Sequence, residues 1–343
     1  MNCLEHAKNY SQVVVAYLAI SCLVLVFVVR MSCSTPFQFQ LLGGSSTMVK
    51  YIEEDELESA LRMASMENKT VIIAFANKAY AEQDGMLDIF IESFRKGEDT
   101  QWLIPHLLVV AIDQTAFDRC NHHGLRCYKL ATDGVDFSGE QLYMSDAFIR
   151  MMWRRTLFLA DVLRRGYSFI FTDTDVMWLR NPFTELGQEG DFQISCDKFN
   201  GRAVNTTNPI NTGFYYARSC NKTITLFDMW YSARNNYTGM KEQDVLEDMI
   251  SRGVLEELGV KMRYLDTRYF SGFCQNSRNL RQVITMHANC CRTINAKLLD
   301  LRIVIEDWEI IKSSGSNPTM PIRWHQHNRC KMSWKIPTIK KTS

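Results

Sequence analysis

Asp173 and Asp175 stand two residues apart in Phe169–Phe183, FIFTDTDVMWLRNPF, directly after the apolar run Tyr167–Phe171. Along extended backbone successive side chains point to opposite faces, so residues i and i+2 face the same way and both carboxylates converge on one point. Paired hard oxygen donors suit Mg²⁺ or Mn²⁺, and an ion held by two acids can carry the oxygens of a diphosphate. An Asp-x-Asp triplet by itself is common in caps and turns. Here the preceding run is too apolar for a surface loop, and Trp178-Leu179 and the turn pair Asn181-Pro182 follow. In open α/β sheets ligands bind beyond the carboxyl ends of the strands, which is where this pair falls.

Such a pair needs elements to hold it. Val71–Ala76, Leu107–Ile112, Tyr128–Leu130 and Ser168–Thr172 read as strands, with helical patterns over Tyr80–Phe94, Thr115–Cys120 and Ser145–Arg165 between them. This alternation predicts a parallel sheet with crossover helices. Glu53–Met66, with Leu57, Leu61 and Ala64 at helical spacing behind an acidic first turn, opens the domain. Asp191–Asp197 reads as a further strand. In the long helix ahead of the acid pair, one of Arg154 and Arg155 is placed to balance the carboxylates or meet a diphosphate, and the other is a solvated helix residue; Arg155 is the one assigned to the site. Trp230 and Tyr231 share an amphipathic helix with Leu226 and Phe227 and read as core.

Lys and Arg total 39 against 38 Asp and Glu in 343 residues, so no overall field favours nucleic acid or a membrane surface. None of the 11 cysteines forms a CxxC pair, which argues against zinc. Cys120 and Cys127 can close a short disulfide, and Cys196, Cys220, Cys274, Cys290, Cys291 and Cys330 can form others in an oxidising lumen. Val13–Val29 is uncharged and just long enough to span a bilayer; because Arg30 follows directly and no Ala-x-Ala site appears, a signal anchor is expected rather than a cleaved signal. The expected organisation is a cytosolic tail (1–12), a transmembrane anchor (13–29), a Ser-, Thr-, Gln- and Gly-rich stem (30–50), an α/β domain (51–313) and a basic tail (314–343). That tail carries Arg323, Arg329, Lys331, Lys335, Lys340 and Lys341 and no acid from Pro321 onward; it is either solvated or set near an anionic ligand. Sequons at Asn68, Asn205, Asn221 and Asn236 call for lumenal exposure.

Longer blocks lie in order along Thr70 to Trp308: TVIIAFANKAYAE, DFSGEQLYMSDAFIRMMWRR, DFQISCDKF, EQDV, RYLDTRYFSGFCQ and MHANCC. With the acid pair they resemble the nucleotide-diphospho-sugar transferase domain of plant glycosyltransferase family 77. The resemblance implies a GT-A-like α/β fold, with a Rossmann-like, mostly parallel sheet flanked by helices. It also implies a single-pass type II Golgi membrane enzyme with a lumenal catalytic domain. Its reaction would be transfer of arabinofuranose, xylose or galactose, with retention, from a UDP-sugar to a cell-wall polysaccharide or glycoprotein, with Mn²⁺ or Mg²⁺ as cofactor.

By the same resemblance Phe75, Ala76 and Asn77 hold the nucleotide and Asp113 meets its base or ribose. Asp173, Thr174 and Asp175 form the metal and donor block, Asn211 and Gly213 flank the donor sugar, and Gln243 and Asp244 are the catalytic or sugar-binding pair. His287 completes the metal shell, in preference to His325 or His327, and Lys297 belongs to a phosphate loop in which Thr293 and Ala296 replace the expected Gly and Asn. Plainer readings stand beside these: Asp113 as a loop or cap residue, Asn211-Thr212-Gly213 as a turn, Glu242-Gln243-Asp244 as the polar first turn of a helix. Two other functions fit less well. One is a non-catalytic scaffold binding nucleotide sugar or glycan. The other is a phosphatase of the haloacid-dehalogenase type, where Met177 replaces the usual Thr or Val.

Overall fold

The computed structural model describes residues 55–132, 134–141, 143–187, 190–314 and 323–335. The expected anchor and stem lie outside the described residues, and among the described ones no helix is long and apolar enough to cross a membrane.

Helix α1 (Glu56–Ala64) starts at Asp55, whose carboxylate accepts the Glu58 N–H at 2.8 Å, and buries Leu57, Ala60, Leu61 and Ala64. Then strands and helices alternate. They run β1 (Thr70–Ala76), α2 (Met86–Lys96), β2 (Leu107–Ala111), α3 (Gln114–His122), β3 (Arg126–Lys129), α4 (Asp146–Arg164) and β4 (Ser168–Thr172). The four strands are parallel neighbours in the order β3-β2-β1-β4, as the alternation predicts. Beyond β5 (Val176–Trp178) the same sheet continues through β6 (Phe192–Cys196) and β7 (Ile210–Ala217) and, after α5 (Asn221–Ala233), α6 (Glu242–Ser251) and α7 (Val254–Glu257), ends on β8 (Met262–Tyr264). Its full order is β3-β2-β1-β4-β7-β6-β8, with β7 antiparallel to both of its neighbours. The result is a mixed, mostly parallel seven-stranded sheet.

Both faces of the sheet are covered, so its central strands are apolar throughout rather than alternating. Val71 and Ile73 of β1 pack with Phe169, Phe171, Tyr215, Phe227 and Trp230 on one side. Ile72 and Ala74 pack with Phe94, Trp178, Phe214 and Trp308 on the other. Trp230 is core, as expected. A second, three-stranded sheet has the order β5-β10-β9, with β9 (Phe270–Gly272) and β10 (Thr285–His287). In it His287 lies opposite both Val176 and Gly272.

Two expectations are corrected. The helix read from Tyr80 begins only at Met86, because Asp84 adopts φ 54° and the chain turns sharply at Gly85, where a Cβ would lie 2.5 Å from the Glu82 carbonyl oxygen. Residues 323–335 are not a solvated tail. Asp300 of α8 (Ile294–Ser313) accepts the N–H groups of Arg329 and Cys330, which fixes α9 (Asn328–Ser333), and a disulfide joins Cys330 to Cys291. Cys120–Cys127 is bonded as expected, Cys274 pairs with Cys290, and Cys196 and Cys220 are free thiols.

Candidate active site

The acid pair sits where the chain leaves one sheet for the other. β4 ends at Thr172; the Asp173 N–H donates to the Gly213 carbonyl at 2.7 Å and the Val176 N–H to the Asp173 carbonyl at 3.2 Å, so the segment is a turn rather than the extended stretch that the spacing suggested. From there β5 enters the small sheet, and the Ala288 N–H bonds the Asp175 carbonyl at 3.0 Å. This register brings His287 onto the turn. Ligand atoms of Asp173, Asp175 and His287 lie within 4.8 Å of one another.

Two cations flank the triad from different helices. Lys297 Nζ of α8 is 2.7 Å from Asp175 Oδ2, and His287 Nε2 is 3.3 Å from Asp175 Oδ1. Arg155 of α4 is buried and divides its guanidinium between Asp173 Oδ1 at 2.9 Å and Glu242 Oε1 at 2.7 Å. Burial and the neighbouring Asp175 push the Asp173 carboxyl above its ordinary range against the pull of Arg155. Burial also pushes on Asp175, but Lys297 and His287 outweigh it and hold that carboxyl well below the usual range. For His287, burial is outweighed by the Asp175 charge, so its imidazole is shifted upward.

Close backbone approach explains Gly213. A Cβ there would lie 2.4 Å from His287 Cε1, 2.8 Å from Asp173 Oδ2 and 2.9 Å from Asn211 Oδ1. Asn211-Thr212-Gly213 is therefore part of strand β7 and no turn, and the glycine is the space the triad occupies. Two carboxylates and an imidazole, all reaching one point, fit Mg²⁺ or Mn²⁺, with the nitrogen favouring Mn²⁺.

Around the triad lies a cleft of about 360 Å³. Phe75, Ala76, Asn77, Arg155, Asp173, Thr174, Asp175, Asn211, Gly213, Gln243, His287 and Lys297 all line it. Asp113 does not. Its Oδ1 caps α3 by accepting the Ala116 N–H at 2.8 Å, and its Oδ2 accepts the Lys78 N–H at 2.6 Å, so both oxygens serve the backbone. Asp244 also stays out of the lining, paired with Lys241 Nζ at 3.6 Å. In its place stands Glu242, 1% exposed, joined to Arg155 and to the Thr212 hydroxyl at 2.9 Å, with Oε2 buried and unbonded. Gln243 Oε1 accepts the Thr212 N–H at 3.2 Å. Neither rival histidine reaches the triad: His325 pairs with Asp307, and His327 stacks on Phe273 at 3.6 Å. Sequence reasoning passed over Tyr80 and Lys241, which line the cleft together with Trp334 of the basic tail; burial pushes the Tyr80 phenol up to about 12.

An α/β sheet that gathers acids, an imidazole and two cations around one cleft at its strand ends is built to grip an anionic, diphosphate-bearing donor. Residues 102–301 match the nucleotide-diphospho-sugar transferase family, and the chain belongs to that family. It is a glycosyltransferase of the nucleotide-sugar type, consistent with the plant family 77. Two Arabidopsis thaliana proteins named only as uncharacterized are similar to it: one is 53% identical over 287 residues, covering 82% of this chain and 84% of the relative; the other is 40% identical over 281 residues, covering 81% and 74%. A beta-arabinofuranosyltransferase of the same plant is 26% identical over 231 residues, 63% of this chain and 41% of that one.

Proposed function

We propose that the protein is a metal-dependent, retaining glycosyltransferase that moves a pentose or hexose from a UDP-sugar to a cell-wall glycan or glycoprotein. The observation that carries this reading is the convergence of Asp173, Asp175 and His287 between Lys297 and Arg155 on the floor of one cleft. Asp173, Asp175 and His287 would hold Mn²⁺ or Mg²⁺, which supplies charge neutralisation for a departing diphosphate. Lys297 places a second positive charge beside the same point, and Arg155, its guanidinium divided between Asp173 and Glu242, restrains Asp173 and adds positive charge at the cleft. Glu242 and Gln243, locked through Thr212, form the wall available to the donor sugar. Support for a pentose comes from the similarity to the beta-arabinofuranosyltransferase.

The further carboxylates that line the cleft are each held by one oxygen: Glu242 Oε1 accepts from Arg155 and Thr212, and Asp197 Oδ1 accepts from Asn211 and Asn289. The reading has the acceptor hydroxyl attack on the face the diphosphate leaves, its proton passing to a diphosphate oxygen. Three disulfides among the described residues support an oxidising compartment, in keeping with a lumenal domain behind a Golgi anchor. Exposed sequon asparagines Asn68, Asn221 and Asn236 point the same way.

The test is UDP release from a panel of UDP-sugars by the purified chain, with Mn²⁺ and with a chelator. One donor turned over in a chelator-sensitive manner, giving a product with the donor's anomeric configuration by proton NMR, is the expected result. Binding of UDP-sugar without any release would replace the enzyme by a scaffold, and an inverted linkage would refute retention.

A further inference from the structure

Helix α4 carries two adjoining stripes at helical spacing. Phe148, Met151, Met152 and Arg155 line the donor cleft. Ile149, Arg150, Trp153 and Arg154, one step round the helix, line a second groove of about 540 Å³. The opposite wall is the segment after α5, whose last groove residue, Met240, accepts the Trp153 indole N–H on its carbonyl at 3.2 Å. Lys241 and Glu242 come next in the chain and line the donor cleft, so groove and cleft are neighbours that draw on the same two stretches of chain, α4 and residues 240–242.

The chemistry of the groove is one-signed. Arg150, Arg154 and Arg234 line it, and no Asp or Glu does among the described residues. Arg234 lies over the Tyr231 ring at 3.7 Å and donates to the Tyr231 carbonyl at 2.7 Å. Arg154 gives Nη2 to the Ala131 carbonyl at 2.9 Å, while its Nε is buried without a partner. Some arginines of this domain find acids, as Arg119 does with Asp88, Arg165 with Asp55 and Arg180 with Glu98, and others, such as Arg263 and Arg302, donate to carbonyls; no acid pairs with the three in the groove among the described residues. Guanidinium groups without an acid partner around a cavity match carboxylates, which they bind through charge-assisted hydrogen bonds. Four rings are among the other lining residues: Phe137 and Trp153 are buried, whereas Tyr231, which Arg234 covers on one face, and Tyr237 are half-buried, so Tyr237 and the remainder of Tyr231 are the ring surface open to the C–H faces of a sugar.

We propose that this groove is an acceptor subsite that holds the acidic residues of a carboxylated saccharide whose end enters the donor cleft. The assignment rests on the transferase reading above for what the cleft does, and on the arginines and rings for the charge and class of the ligand.

The test is calorimetric titration of the purified full chain with tetragalacturonate and with neutral cellotetraose, without donor. Tetragalacturonate binds at least about tenfold more tightly than cellotetraose, and the preference shrinks with added salt. Replacing the exposed Arg150 alone (Arg150→Gln), and Arg150 with Arg234 (Arg150→Gln, Arg234→Gln), weakens acidic binding, the pair by about tenfold or more, with the fold intact by circular dichroism. Equal binding of the two saccharides, or wild-type affinity in the double variant, overturns the proposal. Equally strong competition by inorganic phosphate or sulfate overturns it in favour of a plain anion site. If binding is seen only after a glycan at Asn236, exposed between the groove residues Asn235 and Tyr237, is removed by Asn236→Gln, the groove is covered by the chain's own sugar and the proposal also fails. Binding is read without turnover, so the two readings fail separately. A chain that prefers tetragalacturonate but releases no UDP fails only as a transferase, and one that turns over a donor but does not discriminate fails only in the groove.

Discussion

Gly213→Ala adds one methyl group and no charge, yet it is expected to cost the protein most of its metal affinity. The new Cβ would lie 2.4 Å from His287 Cε1, where carbon atoms ordinarily rest about 3.5–4 Å apart, so the ring must retreat by about 1 Å. It cannot do so by pushing the methyl elsewhere, since Asp173 Oδ2 at 2.8 Å and Asn211 Oδ1 at 2.9 Å close the other sides. Metal sites tolerate ligand displacements of about 0.2 Å, so a shift several times larger detaches the imidazole and disturbs a carboxylate. Loss of an oriented ligand lowers affinity by about 10- to 100-fold, or about 1.4–2.8 kcal/mol, and overpacking adds about 1–3 kcal/mol of lost stability. Calorimetric Mn²⁺ titration of the variant, with UDP release measured at rising Mn²⁺, reads both effects. Activity should return in part at high Mn²⁺, because the ligands are moved and not removed. Unchanged Mn²⁺ affinity in a folded variant would refute the placement of the metal between Asp173, Asp175 and His287.

Asp175→Asn, by contrast, leaves a neutral amide facing Lys297 and is expected to abolish UDP release at every Mn²⁺ concentration, with the fold intact by circular dichroism. Glu242→Ala strands the buried Arg155 guanidinium and should destabilise the domain by about 3–5 kcal/mol in denaturant titration; a loss under 1 kcal/mol would mean that Arg155 is satisfied without it. His327, pushed down to about 4 by burial and by Lys331, is neutral in the fold. An unfolded histidine titrates near 6.5, so the stability this residue contributes is full above pH 6.5 and is lost as pH falls toward 4, at most about 3 kcal/mol. His327→Gln should flatten that part of the stability curve, and an unchanged slope would assign it to other groups.

Ser168–Thr172 and the helix across Asp146–Arg164 were legible because strand and helix periods are strong over long apolar runs. The acid pair was legible for a reason that proved incomplete: the side chains do converge, but through a turn between two sheets that no spacing rule encodes. Glu242 was missed because an acid in a helix's first turn is ordinarily explained by the dipole, and its partner Arg155 lies on another helix, where only the fold brings them together. Asp113 erred the other way. A carboxylate ending a strand in an α/β fold is a ligand candidate and also the natural N-cap of the next helix, and two backbone N–H groups claimed it. The docking of residues 323–335 was invisible because it rests on Asp300 and a disulfide rather than on an apolar period.

The neighbouring cysteines 290 and 291 lead away in different directions, to Cys274 and to Cys330, only three and four residues past His287. Cys290 adopts φ 54°, a left-handed conformation unusual for a residue with a Cβ, within the loop that both bridges fix. During synthesis Cys274 is available before either of the pair, whereas Cys330 emerges last, so the first bond must form with the correct one of two adjacent thiols. If Cys291 takes Cys274, the loop is drawn back by one residue and the remaining pair joins Cys290 to Cys330, leaving an isomer of the same mass whose imidazole no longer meets the acids. Preparations of this protein should then contain two oxidised forms separable under non-reducing conditions, and a disulfide isomerase added during folding should convert the inactive form into the active one.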